Sequence, residues 1–111
     1  QEHRYEEGYY DCSSLVQRLY QEVGISLPAI ASTQGEFMVT HGLEVTEGEL
    51  EPGDLIFYSY EQNGQFRNIS HVAIYVGNGR MVHAANSRRG VVNDPFNPSN
   101  IGLYGRPSRL Q

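Results

Sequence analysis

The chain has 111 residues, a formal net charge of −5 and one cysteine. This length fits a single hydrophobic core, and we expect residues 1–111 to form one monomeric domain. The acidic balance argues against a nucleic-acid-binding protein, the lone cysteine excludes an internal disulfide, and no apolar run approaches the about 20 residues of a membrane span.

The first predicted element is a helix that carries the cysteine. Residues 1–11 are polar and are expected to form a loop, and Asp11 is a good N-cap because its carboxylate can accept a first-turn N–H. Gly24 is expected to stop the helix in a left-handed conformation. Cys12 then lies in the first turn, where unpaired N–H groups and the helix dipole favour a thiolate, so we expect its pKa below the about 8.5 of a free thiol. The apolar residues that recur with helical period are Leu15, Val16, Leu19, Tyr20 and Val23.

A shorter helix is predicted between this helix and the strands. The segment 25–28 is expected to be extended, because a residue before proline avoids the helical region. Ser32 is a candidate cap for a helix over residues 33–39, which ends near Gly42. Residues 42–51 are acidic and contain glycine, and we expect a surface connection there.

The second half of the chain changes to the period of β-strands. A last short strand is expected within residues 103–110, at a sheet edge because Pro107 cannot donate a ladder hydrogen bond. A helix that precedes an antiparallel meander gives an α+β domain, with the cysteine-bearing helix packed on a small sheet. The strands expected before the last one cover residues 54–60, 70–76 and 80–85.

The four histidines divide into two groups. His3, near the terminus, and His41, in the surface connection, are expected to be solvated. His71 and His83 lie on predicted strands that flank one tight turn, where the ordinary alternative for each ring is local packing and hydrogen bonding. A cysteine nucleophile needs a base beside it, and that base needs an orienting group on its other nitrogen. With Cys12 as nucleophile, His71 would be the base and later the acid, and His83 would orient it.

Strand register decides whether the two histidines can act together. A two-residue turn would point His71 and His83 to opposite faces of the sheet, because side chains alternate along a strand. A three-residue loop over residues 77–79 pairs His83 with Ala73 and places both rings on one face. We predict the three-residue loop, with Gly79 left-handed.

Two alternatives to catalysis stay open at this point. A free cysteine is often a small buried hydrophobe without chemistry. Cys12, His71 and His83 are also ligand types that zinc accepts, but no close ligand spacing such as His-x3-His or Cys-x2-Cys occurs. We therefore expect neither a metal nor another cofactor.

Five short blocks follow one another in a fixed order along most of the chain. They are Asp-Cys-Ser-Ser-Leu-Val at 11–16, Leu-Pro at 27–28, Gln34, Pro-Gly-Asp-Leu-Ile-Phe-Tyr at 52–58, and His-Val-Ala-Ile-Tyr-Val-Gly-Asn-Gly-Arg-Met-Val-His-Ala at 71–84. In this order the blocks resemble the NlpC family of bacterial cell-wall cysteine peptidases.

The resemblance implies a papain-like α+β core and hydrolysis of peptidoglycan stem peptides. The bond cleaved in that family is typically the one between D-γ-glutamate and the diamino acid that follows. By position, the resemblance assigns Cys12 as nucleophile, His71 as base and His83 as the third polar residue. It also implies an extracellular or wall-associated protein, whether periplasmic or secreted, of which this chain is an excised domain. Further positions for substrate binding or the oxyanion are Tyr5, Asp11, Ser13, Ser14 and Ser70.

Related activities remain open beside this reading. One is a cysteine amidase that cuts between the lactyl group and L-Ala, another is an acyltransferase, and a third is a wall-binding module without activity. The chain departs from the family pattern in having no tryptophan, in Ser14 where many members have glycine, and in Ala29 where arginine is frequent. Loss of that arginine would remove one positive group for a substrate carboxylate.

Overall fold

The computed structural model describes residues 11–86 and 88–110. Within these residues two α-helices precede a six-stranded antiparallel sheet, which confirms the α+β class. The predicted site residue Tyr5 lies outside the described residues. The elements are α1 (Cys12–Gln21), α2 (Ala31–Thr40), β1 (Glu44–Val45), β2 (Leu55–Tyr58), β3 (His71–Gly77), β4 (Arg80–Asn86), β5 (Gly90–Pro95) and β6 (Ile101–Gly105).

Helix α1 begins where the sequence predicts and ends slightly earlier. The Asp11 carboxylate accepts the backbone N–H of Ser14 at 2.9 Å, so the predicted N-cap is confirmed. At the other end Gly24 takes a φ of 85°, and the next N–H, that of Ile25, returns to the carbonyl of Tyr20 at 3.0 Å. This pattern ends the helix before Val23, which is 59% exposed rather than part of a buried stripe.

Helix α2 differs from prediction at its start. Its N-cap is Ile30, with no side-chain hydrogen bond, and the predicted cap Ser32 lies inside the first turn. The Ser32 hydroxyl is turned instead to the side-chain oxygen of Gln65, at 3.2 Å. The predicted end is confirmed, since Gly42 has a φ of 69° and the N–H of Leu43 returns to a carbonyl of the last turn at 2.7 Å.

The sheet has the strand order β1-β6-β2-β3-β4-β5. The prediction of β6 as an edge strand is wrong, because β6 lies between β1 and β2. Pro107 does not interrupt the ladder, since the strand ends at Gly105 and the proline begins a 3₁₀ turn. Strands β1 and β5 were not expected, and each extends one edge of the sheet.

Apolar side chains fill both faces of the sheet. Phe57, Val72 and Leu103 belong to the core between the sheet and the helices. Tyr58 and Met81 belong to a second cluster that includes neither helix. Because side chains alternate along a strand, His71 shares its face of β3 with the second cluster.

The turn between β3 and β4 sets the register of the two histidines. Asn78 and Gly79, with φ values of 54° and 69°, form a two-residue turn that pairs Gly77 with Arg80, so the predicted three-residue loop is wrong. The left-handed Gly79 is confirmed. A β-bulge leaves Val76 as an extra residue.

Beyond this bulge the register is the one expected from sequence. Ile74 pairs with Val82, and continuing that pairing sets His83 opposite Ala73. His71 is two residues from Ala73, so its ring and that of His83 share one face of the sheet. The extra residue in the strand thus compensates for the shorter turn.

A buried ion pair joins the segments at the ends of β2 and β6. Arg106 donates through Nε and Nη2 to the two oxygens of Asp54 at 2.8 and 2.9 Å, and Asp54 is 2% exposed. The N–H of Glu51 adds a third bond to the same carboxylate at 2.8 Å. Bidentate charge-assisted bonds of this kind fix geometry as well as adding energy.

Removing Arg106 should cost much more stability than removing an exposed arginine. In Arg106→Met the Asp54 carboxylate stays buried without its cation, and we expect the free energy of unfolding to fall by about 3 kcal/mol. The matched control is Arg67→Met, whose exposed pair with Glu44 spans 3.4 Å and should be worth less than about 1 kcal/mol. Urea unfolding of both variants measures the difference, and equal losses would contradict it.

Candidate active site

The N-terminus of α1 holds the cysteine in a fixed position. Asp11 accepts the Ser14 N–H and also the Ser13 hydroxyl, at 3.3 Å, so its carboxylate faces the helix it caps. Gln34, fully buried, donates from Nε2 to the Ser13 carbonyl at 3.0 Å and to the Pro28 carbonyl at 2.8 Å. This amide ties α2 to the start of α1.

The environment of the Cys12 sulfur does not favour a thiolate. Backbone N–H groups of Val72, Ser13 and Cys12 itself lower the thiol pKa, as expected for a helix start. Burial outweighs them and, with the nearby Asp11 carboxylate, raises the pKa of Cys12 to about 11. The expectation of an acidic thiol is therefore wrong, because dipole stabilisation of an anion cannot replace the water that burial removes.

The two histidines meet as the register requires. Nε2 of His71 lies 2.7 Å from Nδ1 of His83, with the ring planes at 77°. Burial lowers the pKa of His71 to about 4, and the repulsion that His83 exerts when its ring is protonated adds to this effect. At neutral pH His71 is consequently an uncharged imidazole that can accept a proton.

Two tyrosines from the end of β2 flank His71. The Tyr58 ring centroid lies 6.0 Å from that of His71, and the Tyr60 centroid lies 6.2 Å away. Burial and the nearby Cys12 raise the pKa of Tyr60, which places its hydroxyl in the same neighbourhood. Tyr60 is 50% exposed, so it forms an accessible wall of the site that the sequence did not single out.

A carboxylate from β5 extends the histidine pair. Oδ2 of Asp94 lies 2.9 Å from Nε2 of His83, and Arg89 donates to both Asp94 oxygens at 3.2 and 3.0 Å. These bonds, that to Arg89 first, lower the pKa of Asp94 to about 2. Sequence reasoning missed both residues because it predicted no strand over residues 90–95. The available signal was Arg89-Gly90-Val91-Val92, a glycine turn followed by β-branched residues.

A cleft of about 280 Å³ opens beside Cys12. Of the other predicted site residues, Asp11, Ser13 and Ser70 line it, while Ser14 is buried and contributes its N–H to the helix cap. Histidines are absent from the described residues that line the cleft. The lining comes from the start of α1 (Asp11, Cys12, Ser13), the start of α2 (Ile30, Ala31, Ser32) and the loop before β3 (Asn63, Gln65, Ile69, Ser70).

The geometry bears on the metal alternative. Between residues 11 and 110, position 87 excepted, no group of three or more His, Cys, Asp or Glu side chains is arranged to hold a metal ion. His71 Nε2 and both ring nitrogens of His83 are engaged in hydrogen bonds.

Of the two helices in the described part of the chain, neither is long and apolar enough to cross a membrane.

Comparison with known families decides the classification. The model of the NlpC/P60 family matches residues 2–101. The chain belongs to the NlpC/P60 family. Its relatives include a gamma-D-glutamyl-L-lysine dipeptidyl-peptidase of Bacillus cereus, 33% identical over 90% of this chain and 28% of that protein. The bifunctional muramidase/DL-endopeptidase CwlT of Bacillus subtilis is 41% identical over 70% of this chain and 22% of that protein.

Solved structures of the NlpC/P60 family share this fold. A family protein from Bacillus cereus superposes with a TM-score of 0.74 at 30% identity, covering 88% of this NlpC/P60 domain and 32% of that chain. RipD of Mycobacterium tuberculosis, described as a non-catalytic NlpC/p60 domain protein adapted to peptidoglycan binding, superposes with a TM-score of 0.70 at 26% identity, covering 87% and 66%. This domain thus spans less than a third of each of the two curated relatives.

Alkylation of Cys12 should report a thiol of high pKa. Because the anion is the reactive form and burial raises the pKa to about 11, we expect the iodoacetamide rate to rise with pH up to about 11. As the chain has one cysteine, the label reports this site alone. The same chain unfolded in urea is the control, with a midpoint near the about 8.5 of a free thiol. A folded-state midpoint at or below the control would contradict the assignment.

NMR titration of His71 should give a midpoint near 4, because burial disfavours its charged form. The unfolded chain binds this proton near the about 6.5 of a free imidazole. The stability that His71 contributes is therefore complete above that pH and is lost as the pH falls toward 4. In His83→Gln the midpoint should rise but stay below about 6.5, since burial is the larger cause. A wild-type midpoint near the free value would show that the ring is hydrated.

Proposed function

We propose that this NlpC/P60 domain is the catalytic domain of a peptidoglycan endopeptidase with Cys12 as nucleophile. The bond we assign is that between D-γ-glutamate and the following diamino acid of the stem peptide. The observation that carries the proposal is that the N–H of Val72 bonds the helix-start thiol, while His71, the residue before Val72 in the chain, is held by His83. The names of the relatives from the two Bacillus species support the same class of reaction.

In this proposal the site starts from a neutral pair. As the Cys12 sulfur attacks the scissile carbonyl, the thiol proton passes to the neutral His71, so no buried ion pair has to exist beforehand. The N–H groups of Ser13 and Val72 lie near the sulfur and are candidate donors to the oxyanion. His71 then gives its proton to the leaving amine, and water hydrolyses the thioester to restore the thiol.

The residues that line the cleft support a placement for each part of the substrate. The leaving amine must be near His71 to receive its proton, and the described residues that line the cleft include Cys12 but not His71. The acyl part, which ends in D-γ-glutamate, therefore occupies the cleft, and the diamino acid side lies toward His71 and Tyr60. The proposed place of action is outside the cytoplasm, at the cell wall, with stem peptides as the partner.

A second candidate function is wall binding without hydrolysis. The similarity to RipD favours it, because that protein has the same fold and is described as non-catalytic. Against it stands the hydrogen-bonded arrangement of His71, His83 and Asp94, which is more than a binding surface requires. An amidase or an acyltransferase would use the same thiol chemistry on a different acyl group.

Digestion of purified peptidoglycan tests the proposal. Wild-type protein should release fragments whose masses place the new ends between glutamate and the diamino acid, and Cys12→Ala should lower the rate by at least about 10³-fold because the nucleophile is gone. The exposed Ser26→Ala is the matched control and should keep wild-type activity. Undiminished release by Cys12→Ala would refute the assignment. Binding without release by the wild type would favour the second candidate, and fragments with a free lactyl group would indicate the amidase.

A further inference from the structure

The carboxylate of Asp94 stands at the end of a continuous line of hydrogen bonds. Its Oδ2 lies 2.9 Å from Nε2 of His83, whose Nδ1 lies 2.7 Å from Nε2 of His71. Asp94 is only partly exposed, and its two oxygens also accept from Arg89 at 3.2 and 3.0 Å. Arg89 thereby keeps the carboxylate charged and fixes its orientation.

We infer that Asp94 is a positioning residue that sets the tautomer of the catalytic base. This inference rests on the proposed function, in which His71 accepts the thiol proton. An ionised carboxylate only accepts hydrogen bonds, so Nε2 of His83 must carry its hydrogen. In neutral His83 the other nitrogen, Nδ1, is then an acceptor.

The next bond follows from the same rule. Because Nδ1 of neutral His83 accepts, Nε2 of His71 must donate, and the single hydrogen of the neutral His71 ring lies on Nε2. Nδ1 of His71 is left with a lone pair, and it has no hydrogen-bond partner among residues 11–86 and 88–110. This nitrogen is the one that can accept the proton of Cys12.

The opposite assignment of donor and acceptor nitrogens would disable the base. If Nδ1 of His83 carried the hydrogen, Nε2 of His71 would have to accept and its hydrogen would move to Nδ1. His71 would then present an N–H where the thiol proton has to go. Either assignment of donor and acceptor satisfies the hydrogen bond between the two rings, so that bond alone does not determine the tautomers. The hydrogen bond to Asp94 determines them. Asp94 does so from β5, without touching Cys12 or His71.

The test compares Asp94→Ala, Asp94→Asn and a matched control, Glu44→Ala. Like Asp94, Glu44 is an acidic residue on an edge strand and pairs with an arginine, here Arg67. Glu44 lies on β1, at the edge of the sheet opposite β5. Two readouts are used, the steady-state kinetics of stem-peptide hydrolysis and the ¹⁵N shifts of the imidazole nitrogens at pH 8 without substrate. Thermal unfolding checks that each variant is folded.

In Asp94→Ala we expect kcat to fall about 10- to 100-fold with KM changed less than about twofold. The reason is that His71 then carries its hydrogen on the wrong nitrogen, while the cleft is intact. The ¹⁵N spectrum should show hydrogen appearing on Nδ1 of His71. Asp94→Asn keeps one side-chain oxygen. Two donors meet the Oδ2 position and one meets Oδ1, so the remaining oxygen should take the Oδ2 position and face His83. The fall in kcat should therefore be smaller than in Asp94→Ala. Glu44→Ala should match the wild type in both readouts.

Three results would overturn the inference. They are a kcat for Asp94→Ala within about twofold of the wild type, a loss of activity with both tautomers unchanged, and an equal loss in Glu44→Ala. The ¹⁵N measurement needs no turnover, so it tests the tautomers even if peptidoglycan is not the substrate. Failure of the proposed function would instead appear as full activity of Cys12→Ala.

Discussion

Burial of Cys12 and His71 is the constraint on which the site depends. The same removal of water raises the pKa of Cys12 to about 11 and lowers the pKa of His71 to about 4. Both groups are neutral in the free protein, so in the proposed mechanism the cost of charge separation falls in the chemical step. The N–H groups around the sulfur then meet charge that develops during the reaction, and preorganised donors are most effective in a site without water.

Hydrogen bonds from polar side chains hold these buried groups in position. Gln34 fixes the peptide that follows Cys12, and Asp11 caps the helix that carries this cysteine. On the sheet, the line from His71 to Asp94 runs across three adjacent strands, β3, β4 and β5. Because each member lies on a strand, the proposed base, His71, is held by the ladder of the sheet rather than by a loop.

The sequence predicted the elements near the site better than those far from it. The cap at Asp11, the cysteine at the helix start and the shared face of the two histidines follow from local rules of capping and alternation. The face was right although the turn was wrong, because a bulge at Val76 adds the residue that the turn lacks. Bulges have weak local signals, so the sequence did not distinguish the two arrangements.

What the sequence could not supply depends on distant packing. The pKa of Cys12 follows from how much of the sheet covers the helix start, and that coverage is a tertiary property. Asp94 was missed because β5 contains few strongly apolar residues, and its strand forms by pairing with β4. The interior position of β6 was not predicted, because the predicted strand included Pro107, which belongs to the turn after it.

The bulge at Val76 determines on which face of the sheet His83 lies. If the same residues paired without the bulge, the two-residue turn would set His83 opposite Ile74, and every side chain of β4 up to His83 would change sides. The imidazole would then be separated from its neighbour by the sheet itself, although no functional group had been altered. Deletion of Val76 alone should therefore keep the two rings on one face, because it removes the unpaired residue and leaves Ile74 opposite Val82.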